Sequence, residues 1–127
     1  MIPYSRQQIS QIDVKNVIRV LKSKLITQGK KVEEFENKLA NFCKSKFAVT
    51  TNSATSALHI SCISLGLSKN DYLWTVPNTF VASSNCALYC GAKVDFVDID
   101  PITNNISIHE LKIKLKISKL KNNLPKI

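Results

Sequence analysis

The sequence predicts an α/β fold whose sheet is mostly parallel and flanked by helices. Two observations carry that expectation. Short apolar runs at 47–50, 72–76 and 93–97 alternate with longer stretches of helical periodicity at 57–67, at 79–89 and from 107 onward. Strands separated by helices of that length read as βαβ units rather than hairpins. The second observation is Asn52-Ser53-Ala54-Thr55-Ser56-Ala57-Leu58-His59, a cluster of small polar residues between an apolar run and a helical pattern. It has the grammar of a buried strand, a tight turn and a helix N-terminus.

In chain order, Ser10-Gln11-Ile12-Asp13 opens an amphipathic helix, with Ser10 as cap and Asp13 three residues on. Ile12, Val14, Val17, Ile18 and Leu21 recur at helical spacing up to Ser23. The pattern breaks at Leu25–Lys30, where Gly29 is the residue expected to take a positive φ. A second helix follows, with Val32, Phe35, Leu39 and Phe42 expected to face a core. Phe47-Ala48-Val49-Thr50 is the strand that feeds the small-residue turn.

The helix after that turn ends near Gly66, and Ser68–Asp71 makes the next turn. Tyr72–Val76 reads as a buried strand stopped by Pro77. Thr79–Tyr89 returns as a helix ending near Gly91, and Lys93–Val97 is a further strand closed by a turn at Asp98–Pro101. Ser107-Ile108-His109-Glu110 is a capping box opening a last helix, which is expected to loosen after Leu115. The alternation then reaches a point where another strand is due, so the expectation is a domain cut short.

Composition narrows the function classes. The 44% hydrophobic content of these 127 residues is globular. Apolar runs are too short for a membrane span, and the first residues lack the apolar stretch of a secretory signal, so a cytoplasmic protein is expected. The net charge of +9 is concentrated in lysines, six of them in the last 16 residues. No stacking aromatics interleave with them, which argues against a nucleic-acid binder. Cys43, Cys62, Cys86 and Cys90 have no zinc-ligand spacing and are expected to be reduced and buried; no metal site is expected.

A helix N-terminus of small residues is a ready-made anion site, because its first N–H groups have no intrahelical acceptor. The plainer alternative is that Ser53 or Thr55 simply caps a helix. In a parallel sheet, ligands sit outside the carboxyl ends of the strands, here Thr51-Asn52, Val76-Pro77-Asn78 and Asp98. His59 lies within an apolar helix and reads as structural.

Thr27-Gln28-Gly29-Lys30, Asn52–Leu58, Thr79–Asn85, Gly91-Ala92-Lys93 and Val97–Asp100 occur in an order and spacing that resembles the DegT/DnrJ/StrS-type sugar-nucleotide aminotransferases. The resemblance runs from about residue 2 to residue 127. It implies the N-terminal part of the large domain of a fold-type I enzyme using pyridoxal 5′-phosphate (PLP), without the small C-terminal domain. It assigns Ala54, Thr55 and Ser56 to the cofactor phosphate and Phe80 to the face of the pyridine ring. Thr27, Gln28 and Gly29 are assigned to the border of the sugar-nucleotide pocket, and Asn85 is structural.

The same resemblance implies a nucleotide-linked keto-sugar and an amino-acid donor, glutamate, as partners. It also implies a homodimer at full length and a role in surface-polysaccharide biosynthesis. It places the Schiff-base lysine beyond this chain, whose sixteen lysines occupy no matching position. No catalytic residue is therefore expected here, and the isolated chain is expected to be inactive. Alternatives are a PLP-dependent sugar dehydratase of the same family, a non-catalytic remnant, or a phosphate-binding module.

Overall fold

The computed structural model describes residues 2–121 and 123–127. The elements are α1 (Gln11–Leu21), α2 (Lys30–Cys43), α3 (Ala54–Ser64), β1 (Tyr72–Thr75), α4 (Ala82–Tyr89), β2 (Lys93–Phe96) and α5 (Ile108–Leu120). They fall into two compact units, one extending to Thr50 and the other Thr51–Ile127.

In the first unit both helices form where the sequence places them. Ser10 and Asp13 make the full reciprocal cap of α1, which ends at Leu21 rather than Ser23. The bend before α2 is made differently from the expectation. Gln28 takes the positive φ, at 52°, while Gly29 is the extended N-cap of α2 at −77°. Glycine is needed there for space, since a Cβ would lie 2.9 Å from the Leu25 carbonyl oxygen.

Two further expectations fail in this unit. The apolar faces of α1 and α2, including Val32, Phe35, Leu39 and Phe42, are not buried, and Ala40 is the sole buried hydrophobe among its described residues. Cys43 is exposed as well. Phe47–Thr50 forms no strand. A strand exists only against a partner, and no described backbone pairs with this run. It is anchored instead by Glu36, whose Oε1 accepts from both the N–H and the hydroxyl of Thr50 at 2.8 Å.

The second unit has the expected βαβ core. β1 and β2 pair in parallel, Tyr72 opposite Lys93 through Thr75 opposite Phe96, and α4 connects them. Cys62, Leu67, Leu73, Cys86, Ala87 and Ala92 form the buried cluster around α4, which packs against α3 and against both strands. Alanine and cysteine dominate it because helix and strand backbones can then approach closely. Burial, followed by the neighbouring Cys86 thiol, pushes the Cys62 thiol up to about 11. His59 is half-buried and packs edge-on against Tyr89, with ring centroids 5.3 Å apart.

Two glycines end helices here. Gly66 and Gly91 have φ of 70° and 72°, and the residue after each donates back into the last turn, Leu67 to Cys62 and Ala92 to Ala87, both at 3.0 Å. A left-handed residue at this place satisfies carbonyls that would otherwise be orphaned.

Three details depart from the sequence reading. α4 starts at Ala82, three residues later than expected, with no side-chain cap. Ser107 caps α5 through Glu110 N–H, but its own N–H goes to the Asp98 carbonyl, so only half of the expected box forms. α5 continues past Leu115 to Leu120. Its Lys114 pins the helix to the sheet, with Nζ 2.6 Å from Asp95 Oδ2 and 5.0 Å from the Trp74 ring centre.

The terminal residues add to the sheet. Carbonyls of Asp71 and Thr75 face β2, accepting from Lys93 and Val97. The even-numbered groups face the opposite edge. There Lys126 N–H donates to Tyr72 O at 2.8 Å and Trp74 N–H donates to Ile127 O at 2.9 Å. This is the bonding of a parallel neighbour, held further by Lys126 Nζ on Gly66 O and Asp71. No helix among the described residues is long and apolar enough to cross a membrane.

Candidate functional site

The N-terminus of α3 is built by the Asn52–Ser56 segment. Ser53 is extended, at φ −159° and ψ 155°, and its Oγ accepts the Ser56 N–H at 3.2 Å. That makes Ser53, not Thr55, the cap. Ala54, Thr55 and Ser56 are the first three residues of the helix, as the small-residue pattern predicts.

Of their amides, Ser56 N–H is committed to the cap. Those of Ala54 and Thr55 occupy first-turn positions that have no intrahelical acceptor, and no other acceptor is recorded for them among the described residues. The Thr55 hydroxyl likewise makes no recorded hydrogen bond, whereas Ser56 Oγ donates to Asn52 Oδ1 at 2.8 Å. Two free amides, one free hydroxyl, small side chains and the positive end of a helix dipole form a donor set that fits a phosphate monoester. No acidic side chain hydrogen-bonds within this turn.

Phe80 follows β1 through Pro77-Asn78-Thr79 and immediately precedes α4. Its ring is 75% exposed. The residue stands at the carboxyl end of a parallel strand, the edge outside which ligands of such sheets sit. The cavity beside α3 and α4, about 260 Å³, is lined by Leu58, Cys62, Trp74 and Cys86 among others and includes neither Phe80 nor residues 54–56. Asn85 is half-buried in α4, with its N–H on the Val81 carbonyl.

Thr27, Gln28 and Gly29 belong to the first unit, where they form the bend between α1 and α2. Thr27 and Gln28 are exposed, and Gly29 borders a groove of about 560 Å³ with Leu25, Ile26 and Lys30. No cluster of His, Cys, Asp or Glu suited to a metal occurs among the described residues.

The sequence places Asn52 at the ligand-side end of a strand but assigns its side chain no role. The visible signal was an amide residue directly before the cap, four positions from a second serine, where one helical turn brings the two side chains together.

Comparison with known proteins now bears on this geometry. Residues 7–119 match the model of the DegT/DnrJ/EryC1/StrS aminotransferase family. The chain is 44% identical, over 94% of its length, to the UDP-4-amino-4,6-dideoxy-N-acetyl-β-L-altrosamine transaminase of Campylobacter jejuni, covering 31% of that protein. It thus spans about a third of the length of the curated relatives it matches.

Among solved structures it resembles a sugar aminotransferase of Streptococcus pneumoniae in its PLP form, with a TM-score of 0.83 and 29% identity over 88% of this chain and 29% of that one. It also resembles the E. coli GDP-4-keto-6-deoxy-D-mannose-3-dehydratase with bound hydrated PLP, with a TM-score of 0.79 and 28% identity over 87% of this chain and 30% of that one. With the family model matching nearly the whole length, the chain belongs to the DegT/DnrJ/EryC1/StrS aminotransferase family.

Proposed function

We infer that this chain is the N-terminal, cofactor-binding part of a PLP-dependent aminotransferase acting on a nucleotide-linked keto-sugar. The observation that carries the reading is the 44% identity to the Campylobacter transaminase across 94% of the chain. The amino donor is glutamate, the working assembly a homodimer, the location the cytoplasm, and the pathway surface-polysaccharide or pseudaminic-acid-type biosynthesis. The chain itself is a partial large domain.

The cofactor supplies an electron sink and a carrier for the amino group. The residues of this chain hold and orient it. The α3 turn at Ala54, Thr55 and Ser56 receives the phosphate, where the dipole adds about 0.3–1 kcal/mol for an anion. Phe80 offers a flat, non-titrating face to the ring and keeps water from it. Thr27, Gln28 and Gly29 border the sugar-nucleotide. No lysine of this chain is assigned to proton transfer, since none stands at a position that matches the family's Schiff-base lysine.

A second reading, a sugar dehydratase of the same family, is favoured by the similarity to the E. coli dehydratase. The two share cofactor binding and part at residues this chain does not supply.

The test is a chimaera in which residues 7–119 replace the matching segment of the Campylobacter transaminase. It is expected to retain PLP through dialysis and to aminate the keto-sugar with glutamate. Phe80→Ala in that background should weaken PLP retention about 3- to 10-fold, as the loss of one aromatic face implies, with an unchanged melting temperature. A folded chimaera that loses PLP, or a Phe80→Ala variant that holds it as before, overturns the reading.

A further inference from the structure

Asn52, which the family reading leaves unassigned, governs which hydroxyl the phosphate site offers. A side-chain amide oxygen accepts and cannot donate. Ser56 Oγ lies 2.8 Å from Asn52 Oδ1, so the single hydroxyl proton of Ser56 is spent on Asn52. Ser53 Oγ lies 3.0 Å from Ser56 Oγ. With the Ser56 proton pointing elsewhere, this second contact is made by the proton of Ser53. Ser53 Oγ then keeps its lone pairs for the Ser56 N–H at 3.2 Å.

The chain of bonds therefore runs in one direction, from Ser56 N–H to Ser53, from Ser53 to Ser56 Oγ, and from Ser56 Oγ to Asn52. Neither serine hydroxyl has a proton left for an anion. Thr51 adds a fixed floor, its hydroxyl donating to the Ser53 carbonyl at 2.8 Å.

We propose that Asn52 is a positioning residue which, through the Ser56 hydroxyl, holds Ser53 as the cap of α3 and leaves the phosphate to the Ala54 and Thr55 amides and the Thr55 hydroxyl. This rests on the phosphate reading of the turn given above. Locking matters because an anion site gains most when its donors are ordered before the ligand arrives. A free Ser56 hydroxyl would also compete with Thr55 as donor and let the turn adopt more than one arrangement.

The test uses the 127-residue chain, nitrogen-15 labelled, with pyridoxamine 5′-phosphate as probe. Its amine cannot condense with the chain's lysines as an aldehyde would. Without ligand, the Ser56 amide should exchange with solvent at least about tenfold more slowly than those of Ala54 and Thr55. Asn52→Ala should remove that protection and Asn52→Asp, which keeps an acceptor oxygen, should restore it. On titration, the Ala54 and Thr55 amides should shift. Asn52→Ala and Ser56→Ala cut the same relay, so each should raise the dissociation constant several-fold and the double variant no further, whereas Thr55→Val removes a direct donor and should raise it about tenfold.

Additive losses in the Asn52→Ala, Ser56→Ala double variant would overturn the proposal, as would protection that survives Asn52→Ala. Absence of any shift at Ala54 and Thr55 overturns the phosphate reading instead, and the exchange pattern still decides the role of Asn52. Where the free chain gives poor spectra, probe retention by the same variants in the chimaera decides both.

Discussion

The two units of this chain have helices of similar local quality and very different burial. α1 has a complete reciprocal cap and α2 an i, i+3 ion pair between Lys31 and Glu34. Yet Ala40 is the one buried hydrophobe described in their unit. The second unit has weaker local signals. α4 has no side-chain cap and α5 only half a box, but Cys62, Leu67, Leu73, Cys86, Ala87, Ala92 and Val97 are all buried there. A cap is settled within four residues of chain, so it forms wherever the right side chains stand. Burial needs segments far apart in sequence, and the parallel pairing of β1 with β2 across α4 brings them together.

The largest effect that would break this contrast is a core truncation. Leu73 is 5% exposed at the centre of the buried cluster, and Val17 on α1 is 58% exposed. Leu73→Ala is expected to destabilise the second unit by about 2–5 kcal/mol, from lost burial plus the cavity left behind. Val17→Ala should change stability by no more than about 0.5 kcal/mol. Urea unfolding followed by Trp74 fluorescence reads the first, and helical circular dichroism reads the second. Comparable losses would mean that α1 has a core of its own.

A smaller effect separates the glycines. Gly91 needs its left-handed φ of 72° and has open space where a Cβ would go, whereas Gly29 has an ordinary φ and a Cβ would meet the Leu25 carbonyl oxygen at 2.9 Å. Gly91→Ala should cost about 1–2 kcal/mol, the strain of a left-handed L-residue. Gly91→Asn should recover part of that, because asparagine tolerates the conformation. At Gly29, alanine and asparagine should be equally harmful, since the obstacle is the Cβ itself. Melting temperatures of the four variants check this. Recovery by asparagine at both sites would return Gly29 to a conformational role.

These contrasts show what a single sequence discloses. The caps at Ser10 and Ser53, the strands at 72 and 93 and the glycine helix ends were all legible, because each rests on residues a few positions apart. The Ala54–Ser56 turn at the head of α3 was legible for the same reason. The strand at 47–50 was not, since its existence depends on a partner whose position no local pattern states. Gln28 and Lys44 take left-handed φ angles of 52° and 53°, places where sequence preference points to glycine or asparagine. The Asn52 bond was missed because side-chain direction matters there, and residue type alone does not give it.

Acid should distinguish the units least, because both have carboxylates held below their usual range. In the first, Asp13 is lowered by Ser10, Glu34 by Lys31 and Glu36 by Thr50. In the second, Asp71 is lowered by Ser68 and then Lys126, and Asp100 by the Thr103 and Ile102 amides. Asp95 is the informative case, since two opposing causes act on it. Burial, the largest, pushes its carboxyl up, but the bonds from Lys114 and the Phe96 amide with the Lys114 charge outweigh it and leave it lowered. A lowered carboxyl contributes stability that is present above its unfolded value of about 3.9 and lost as pH falls through the folded one. Lys114→Met removes the main opposing cause and leaves burial, so the Asp95 contribution should change sign and favour the folded state as the carboxyl protonates. The measurement is the urea midpoint from pH 6 to pH 2 for the wild type and Lys114→Met, paired with the Asp95 carboxyl titration by NMR. The variant should lose less stability over that interval and its Asp95 should titrate at higher pH. Parallel curves would mean that Lys114 holds α5 to the sheet through the Trp74 face and the Phe96 carbonyl, with the Asp95 charge contributing nothing measurable.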